Sequence, residues 1–116
     1  MILTMVRGDT RTFTITVKNP DGSAYDLTSC FLWFSVRQYV GASGYVFQKT
    51  LGNGITVDDP LTGVATVTVD PTDTAGLPSV EQHLRWDVQI KTGALQIFTL
   101  NYGELIIAAD ITTEVS

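Results

Sequence analysis

The chain has 116 residues, 44% of them hydrophobic and 16% charged, enough for one core and too few for two domains around a cleft. Seven Lys and Arg against twelve Asp and Glu leave a formal charge of −5, which argues against nucleic acid and anionic membrane as partners. The lone cysteine, Cys30, excludes an intrachain disulfide and a cysteine-based zinc site. No run reaches the ~18 apolar residues of a membrane helix, and Met1-Ile2-Leu3-Thr4-Met5-Val6 lacks the basic start and apolar stretch of a signal peptide. The expectation is one soluble domain spanning 1–116, made in a cytoplasm.

In chain order, alternation with period two is the dominant signal, because successive side chains of a strand face opposite sides of its sheet. Thr12-Phe13-Thr14-Ile15-Thr16-Val17 places three apolar residues on one face and three threonines on the other. Asn19-Pro20-Asp21-Gly22 reverses the chain. Cys30 to Arg37 is apolar on both faces in its first half, which predicts a central strand. From Gln38 to Gly44 the rhythm lapses into glycines, serine and tyrosine, predicting a protruding loop. Strand character returns at Val46 to Leu51 and at Ile55-Thr56-Val57. The turn Asp58-Asp59-Pro60-Leu61-Thr62-Gly63 then leads into Val64 to Val69, predicting a hairpin.

Asp70-Pro71-Thr72-Asp73-Thr74-Ala75-Gly76 carries a helix start and stop, with a capping aspartate, proline at the first helical position and a terminal glycine, so one short helical turn is expected near 70–76. His83 to Lys91 alternates throughout, with Leu84, Trp86, Val88 and Ile90 predicted inward. Thr92-Gly93 and Asn101-Tyr102-Gly103 read as turns bounding strands at Leu95 to Leu100 and Glu104 to Ile111, a three-strand meander. These cues predict an all-β chain, an immunoglobulin-like antiparallel β-sandwich of about seven to nine short strands. With no inter-sheet disulfide, Phe13, Phe34 and Trp86 are expected to fill its centre.

The residues that could carry chemistry each have a structural explanation. His83 is the only histidine and opens a strand at an ordinary semi-exposed position. Cys30 enters the most apolar strand, where burial raises a thiol pKa, so it is assigned to the core. Asp58, Asp59, Asp70 and Asp73 lack the spacing of a calcium loop and fit turn and cap duties. Arg7-Gly8-Asp9 spells an adhesion tripeptide, but it sits directly before a strand whose entry it can shape. No phosphate loop, nucleophile elbow or dinucleotide fingerprint occurs; the expectation is no enzymatic activity, no metal and no cofactor.

Binding is therefore sought on the surface. Tyr39, Tyr45 and Phe47 are the partner-contact candidates, because the tyrosines stand outside the alternating core pattern and bring apolar area at small entropic cost. The competing reading folds these rings back over a sheet edge. A second candidate surface is the pair of terminal segments, Met1 to Val6 and Glu104 to Ile111, whose strand edges need covering.

The ordered set of marks resembles the immunoglobulin-like N-terminal domain of tailed-bacteriophage baseplate upper proteins. These marks are Arg7-Gly8-Asp9-Thr10 before Phe13-Thr14-Ile15, Asp21-Gly22, Asp26-Leu27-Thr28, Val36-Arg37, Ile55-Thr56-Val57 with Asp59-Pro60 and Gly63, Asp73-Thr74-Ala75-Gly76-Leu77, Asp87-Val88-Gln89, Tyr102-Gly103 and Asp110-Ile111-Thr112. The resemblance spans nearly the whole chain. It implies a non-enzymatic virion structural protein, a capsid decoration, head-fibre, or tail or baseplate component, present in multiple copies and bound to other virion proteins in a symmetric assembly. The alternative reading is an adhesion module for a host-surface glycan or protein, resting on Tyr39, Tyr45 and the Arg7-Gly8-Asp9 string.

Overall fold

β-branched and aromatic residues in alternation build eight strands, which the computed structural model describes over residues 2–78 and 80–109. They are β1 (Ile2–Val6), β2 (Arg11–Thr16), β3 (Phe31–Arg37), β4 (Phe47–Leu51), β5 (Gly54–Asp59), β6 (Val64–Val69), β7 (Gln82–Lys91) and β8 (Ile97–Ala108). Among the described residues a 3-10 turn, Pro60–Thr62, joins β5 to β6, and a helix, α1 (Pro71–Ala75), follows β6. Met1, the end of the expected last strand at Ile111 and the mark Asp110-Ile111-Thr112 lie outside the described residues.

The chain is all-β, and its strands form one sheet in the order β1-β8-β7-β3-β4-β5-β6-β2. β1 runs parallel to β8, and β4 is joined to β5 by only two parallel pairs, Thr50 with Gly54 and Leu51 with Ile55. The other ladders are antiparallel. At the narrow β4–β5 seam the sheet turns, so β5-β6-β2 lies over the inner face of the remaining strands and the sheet nearly closes into a barrel. The terminal strands approach each other where Arg11 Nε donates to Thr4 O at 3.3 Å. The Arg11 guanidinium also lies 5.0 Å from the centre of the Phe13 ring.

Phe34 is the hub of the core. Its ring stands 5.8 Å from Trp86, 6.2 Å from Phe13 and 6.2 Å from Phe47, so β2, β3, β4 and β7 meet at one aromatic cluster. Ring pairs at such separations add about 0.5–1.5 kcal/mol beyond their area burial. Phe13, Phe34 and Trp86 thus fill the positions expected of them, and Leu84, Trp86, Val88 and Ile90 all point inward. β3 is central, as its two apolar faces predict, and Cys30 is buried immediately before it.

Two expectations are corrected. The meander of the last third is a two-strand hairpin, because residues 101–103 continue β8 instead of turning. Asn-Tyr-Gly has turn composition, but the long ladder to β7 holds it extended, with Tyr102 opposite Asp87 and Gly103 opposite Trp86; the irregularity is absorbed as a bulge opposite Val88/Gln89. The actual reversal is at Thr92–Gln96, where the Leu95 N–H donates to Thr92 O and Leu95, expected in a strand, takes φ +64°. The second correction concerns Phe47: it opens β4 facing inward against Phe34 and is buried, so it serves the core and is not a surface contact.

Helix α1 is tied to the turn after β1 and to β4. Asp70 and Asp73 form a reciprocal capping box, and the wholly buried Thr74 accepts the Gly8 N–H at 2.8 Å. Arg7 reaches across to donate to Leu77 O at 2.7 Å and Ala75 O at 2.6 Å, covering carbonyls at the helix end. The Arg7-Gly8 pair is therefore a strap on α1. Lys49, although on β4's inner face, extends its stem through the core to salt-bridge Asp73 at 2.7 Å and Asp70 at 3.4 Å. Burial opposes its charge, but the two carboxylates outweigh it and hold the ammonium pKa above the ordinary lysine value.

Candidate functional site

Strand parity that sends Leu32, Phe34 and Val36 inward sends Ser35 and Arg37 to the outer face of β3. The same rule places Arg85, Asp87 and Gln89 on the outer face of β7. Ladder register aligns them in rows across the sheet: Arg37, Arg85 and Glu104; Ser35, Asp87 and Tyr102; Trp33, Gln89 and Thr99. The loop 38–45 rises beside these rows with Tyr39, Val40 and Tyr45. Apart from Trp33 and Glu104, these residues line a groove of about 640 Å³ on the outer face of β3, β7 and β8.

The wall is braced from beneath. Arg37 Nη1 donates to Ala42 O at 2.6 Å, and its guanidinium lies 4.5 Å from the centre of the Tyr45 ring. Val46 N–H donates to Val36 O at 2.7 Å, closing the loop's base. One side chain thus fixes both the backbone and an aromatic ring of the loop, a double contact suited to the planar guanidinium. Tyr39 remains 62% exposed and Tyr45 about half exposed. The two expected outcomes for these rings divide between them: Tyr45 settles against the sheet through Arg37, and Tyr39 stands free of it.

On the floor, burial pushes the Asp87 carboxyl above its ordinary value while the Arg37 charge pulls it down. Ser35 Oγ accepts from Gln48 Nε2 at 2.9 Å, and Gln89 Nε2 donates to Thr99 Oγ1 at 3.3 Å. The groove therefore offers tyrosine faces on its walls and donors alternating with acceptors on its floor. Such a mixture of apolar faces and polar groups is also the make-up of protein interfaces and small-ligand clefts. Three of the chain's four tyrosines, Tyr39, Tyr45 and Tyr102, line it.

Sequence reasoning found Tyr39 and Tyr45 but not Arg37, Arg85, Asp87 or Tyr102. The strand alternation sends Arg85 and Asp87 outward, but Arg37 ends a strand with no clear outer face, and the ladder that sets the three side by side is not legible from the sequence. Tyr102 was hidden by its turn-like neighbours.

The remaining candidates lie elsewhere. His83, at the far end of β7, holds its ring nitrogens 2.9 Å from Glu81 Oε2 and 3.1 Å from Glu104 Oε2 on the open surface. Bonding to Glu81, then to Glu104, raises its pKa. Burial, then the charge of Asp26, raises the Cys30 thiol pKa. Asp58 accepts the Thr66 hydroxyl, and Asp70 and Asp73 belong to the helix cap and Lys49. Among the described residues no group of three or more His, Cys, Asp and Glu is placed to hold a metal ion. No protein-family model matches the sequence, and no curated protein matches it.

Proposed function

We propose that the chain is a non-enzymatic structural subunit of a tailed-bacteriophage virion, an immunoglobulin-like β-sandwich that acts by docking onto neighbouring proteins in a symmetric assembly. The sandwich reading draws on the strand order. The arcs β5-β6-β2 and β1-β8-β7-β3-β4 face each other across the Phe34 cluster and, among the described residues, share a strand ladder only at the two-pair seam between β4 and β5. Each arc then corresponds to one sheet.

The observation that carries the docking reading is the groove walled by Tyr39 and Tyr45 and floored by Arg85 and Asp87. Aromatic and guanidinium groups gathered on a rigid sheet, with a loop fixed beside them, have the make-up of an interface centre. Capsid decoration, head-fibre and tail or baseplate positions are all compatible with such a surface. The test is electron microscopy of particles assembled without this chain. Missing density at symmetry-related positions, restored when the chain is added back, supports the proposal; particles identical in composition and density overturn it.

The same groove favours a second reading, adhesion to a host-surface glycan or protein, because tyrosine faces and alternating donors and acceptors also suit a sugar. Glycan-array binding by the intact chain, abolished by Tyr39→Ala or Tyr45→Ala, would select this reading over the first.

A further inference from the structure

Arg85 and Glu104 stand directly opposite each other on β7 and β8, the arrangement in which a cross-strand pair of opposite charge ordinarily forms. Here it does not. Glu104 Oε2 lies instead 3.1 Å from His83 Nδ1, and among the described residues the Arg85 guanidinium has no ion pair and donates no hydrogen bond. On its other ladder Arg85 faces Arg37, a second cation already committed to Ala42 O and the Tyr45 ring. Arg85 is exposed and lines the groove.

Asp87 follows two positions along the same face of β7, a backbone separation of about 7 Å. It is half-buried in the groove and, among the described residues, accepts no hydrogen bond. A carboxylate drawn partly out of water without a donor is costly, and donors on a ligand relieve that cost. The charged residues lining the groove are Arg37, Arg85 and Asp87, two cations and one anion on a chain of net charge −5. Two guanidiniums disfavour an ammonium beside Asp87 and suit a ligand with one negative charge whose other polar groups are neutral donors. The groove's volume of about 640 Å³ falls within the range of small-ligand clefts, about 300–1,000 Å³, so a ring-sized group fits it better than a flat protein surface does.

We infer that the groove takes the acidic sugar of a glycan, a uronic or sialic acid, with its carboxylate on Arg85, its hydroxyls donating to Asp87 and its ring against Tyr39. The planar guanidinium matches a carboxylate with two parallel donors, and a sugar hydroxyl supplies the neutral donor that Asp87 lacks. Tyr39, 62% exposed, brings an open aromatic face to the apolar side of the ring. His83 is a positioning residue in this arrangement. By holding Glu104 it keeps the carboxylate opposite Arg85 off the guanidinium. The inference rests on the adhesion reading and deepens it by naming the charge of the sugar.

The test probes the full chain against sialyl- and glucuronyl-terminated oligosaccharides, each beside its neutral parent and its carboxyl methyl ester, with acidic peptides alongside. The expected result is an acid bound about tenfold or more tightly than its ester. Arg85→Gln should bring acid and ester level, and Asp87→Asn should weaken both by about tenfold. His83→Ala should weaken the acid and spare the ester, because Glu104 is then released to Arg85, and adding Glu104→Gln should restore the acid. A loss on His83→Ala shared by acid and ester and not restored overturns the role given to His83. Acids and esters bound equally, or an acid preference that survives Arg85→Gln, overturns the inference and leaves the adhesion reading standing. Acidic peptides bound in place of glycans overturn it in favour of protein docking, and no glycan bound at all overturns it together with the adhesion reading.

Discussion

Lys49 Nζ lies 2.7 Å from Asp73 Oδ2, so a cation carried on the core side of a strand ends on the carboxylate that caps a five-residue helix. Core and helix cap are thereby tied by one side chain. Asp73 also accepts the Asp70 N–H at 2.7 Å, and its loss removes both the cap and the nearer counter-charge of a buried ammonium. Breaking a buried pair by removing one partner is far more costly than replacing the buried charge with an apolar group of similar shape. Asp73→Ala is accordingly expected to cost about 3 kcal/mol, seen as a fall of roughly 10 °C in melting temperature. Lys49→Met, which keeps the apolar stem and leaves Asp73 its cap bond, should cost no more than about 1 kcal/mol. Urea denaturation of both variants checks the asymmetry; equal losses would show that the ion pair does not govern this end of the fold.

The elements that were legible in the sequence are those whose neighbours did not matter. β2, β6 and β7 alternate cleanly enough to give their inner faces, and the capping pattern around Pro71 marks α1 from local chemistry alone. Where long-range pairing decides, local signals mislead. Residues 101–103 look like a turn until β7 holds them extended, and Lys49 looks like a surface residue until α1 supplies its carboxylates. Arg7-Gly8 resembles an adhesion string until its partners at Thr74, Ala75 and Leu77 are seen, 66 to 70 positions along the chain. The groove was half legible for the same reason. Its tyrosine loop broke the rhythm visibly, whereas its floor is made of ordinary outward positions that only the ladder brings together.

Two glycines with similar backbone conformation separate strain from crowding. Gly22 (φ +90°) and Gly63 (φ +74°) both occupy the left-handed region, where a side chain costs about 1–2 kcal/mol. A Cβ on Gly22 meets open space, but on Gly63 it would overlap the carbonyl oxygens of Val17 and Tyr25, backbone atoms that cannot swing aside. Gly22→Ala should therefore lose about 1 kcal/mol and Gly63→Ala about 3 kcal/mol or more. Thermal denaturation distinguishes them; equal effects would mean that the β5–β6 hairpin end yields more freely than its packing indicates.

His83 makes stability weakly pH-dependent, in a direction its neighbours fix. Its folded pKa is raised, chiefly by the bond to Glu81 and then by that to Glu104, above the ordinary imidazole value of about 6.5. The contribution is thus fully present below about pH 6.5, as long as the glutamates stay ionised, and is lost as the pH rises through the raised folded value. His83→Gln should lower the melting temperature near pH 6, and this effect should fade as the pH rises through the raised folded value. An NMR titration of the imidazole with its midpoint at or below the free value would refute the assignment.

Arg37 links the loop to the sheet and so decides whether the groove is preformed. Its bond to Ala42 O and its stacking on Tyr45 use the guanidinium's plane and its separate donors, neither of which an ammonium reproduces. Arg37→Lys keeps the charge beside Asp87 but loses the stacked geometry, so it should cost about 1–2 kcal/mol. The amides of residues 39–45 should then exchange faster while those of β7 stay protected. Because Tyr39 and Tyr45 ride on that loop, any partner bound in the groove must pay the ordering entropy that Arg37 normally removes beforehand, which weakens binding without removing a contact. Arg37→Lys should therefore reduce binding at the groove by about tenfold while Tyr45→Phe, which keeps the ring over the guanidinium, does not. If both substitutions weaken binding equally, the Tyr45 hydroxyl contacts the partner directly and the brace is not what matters.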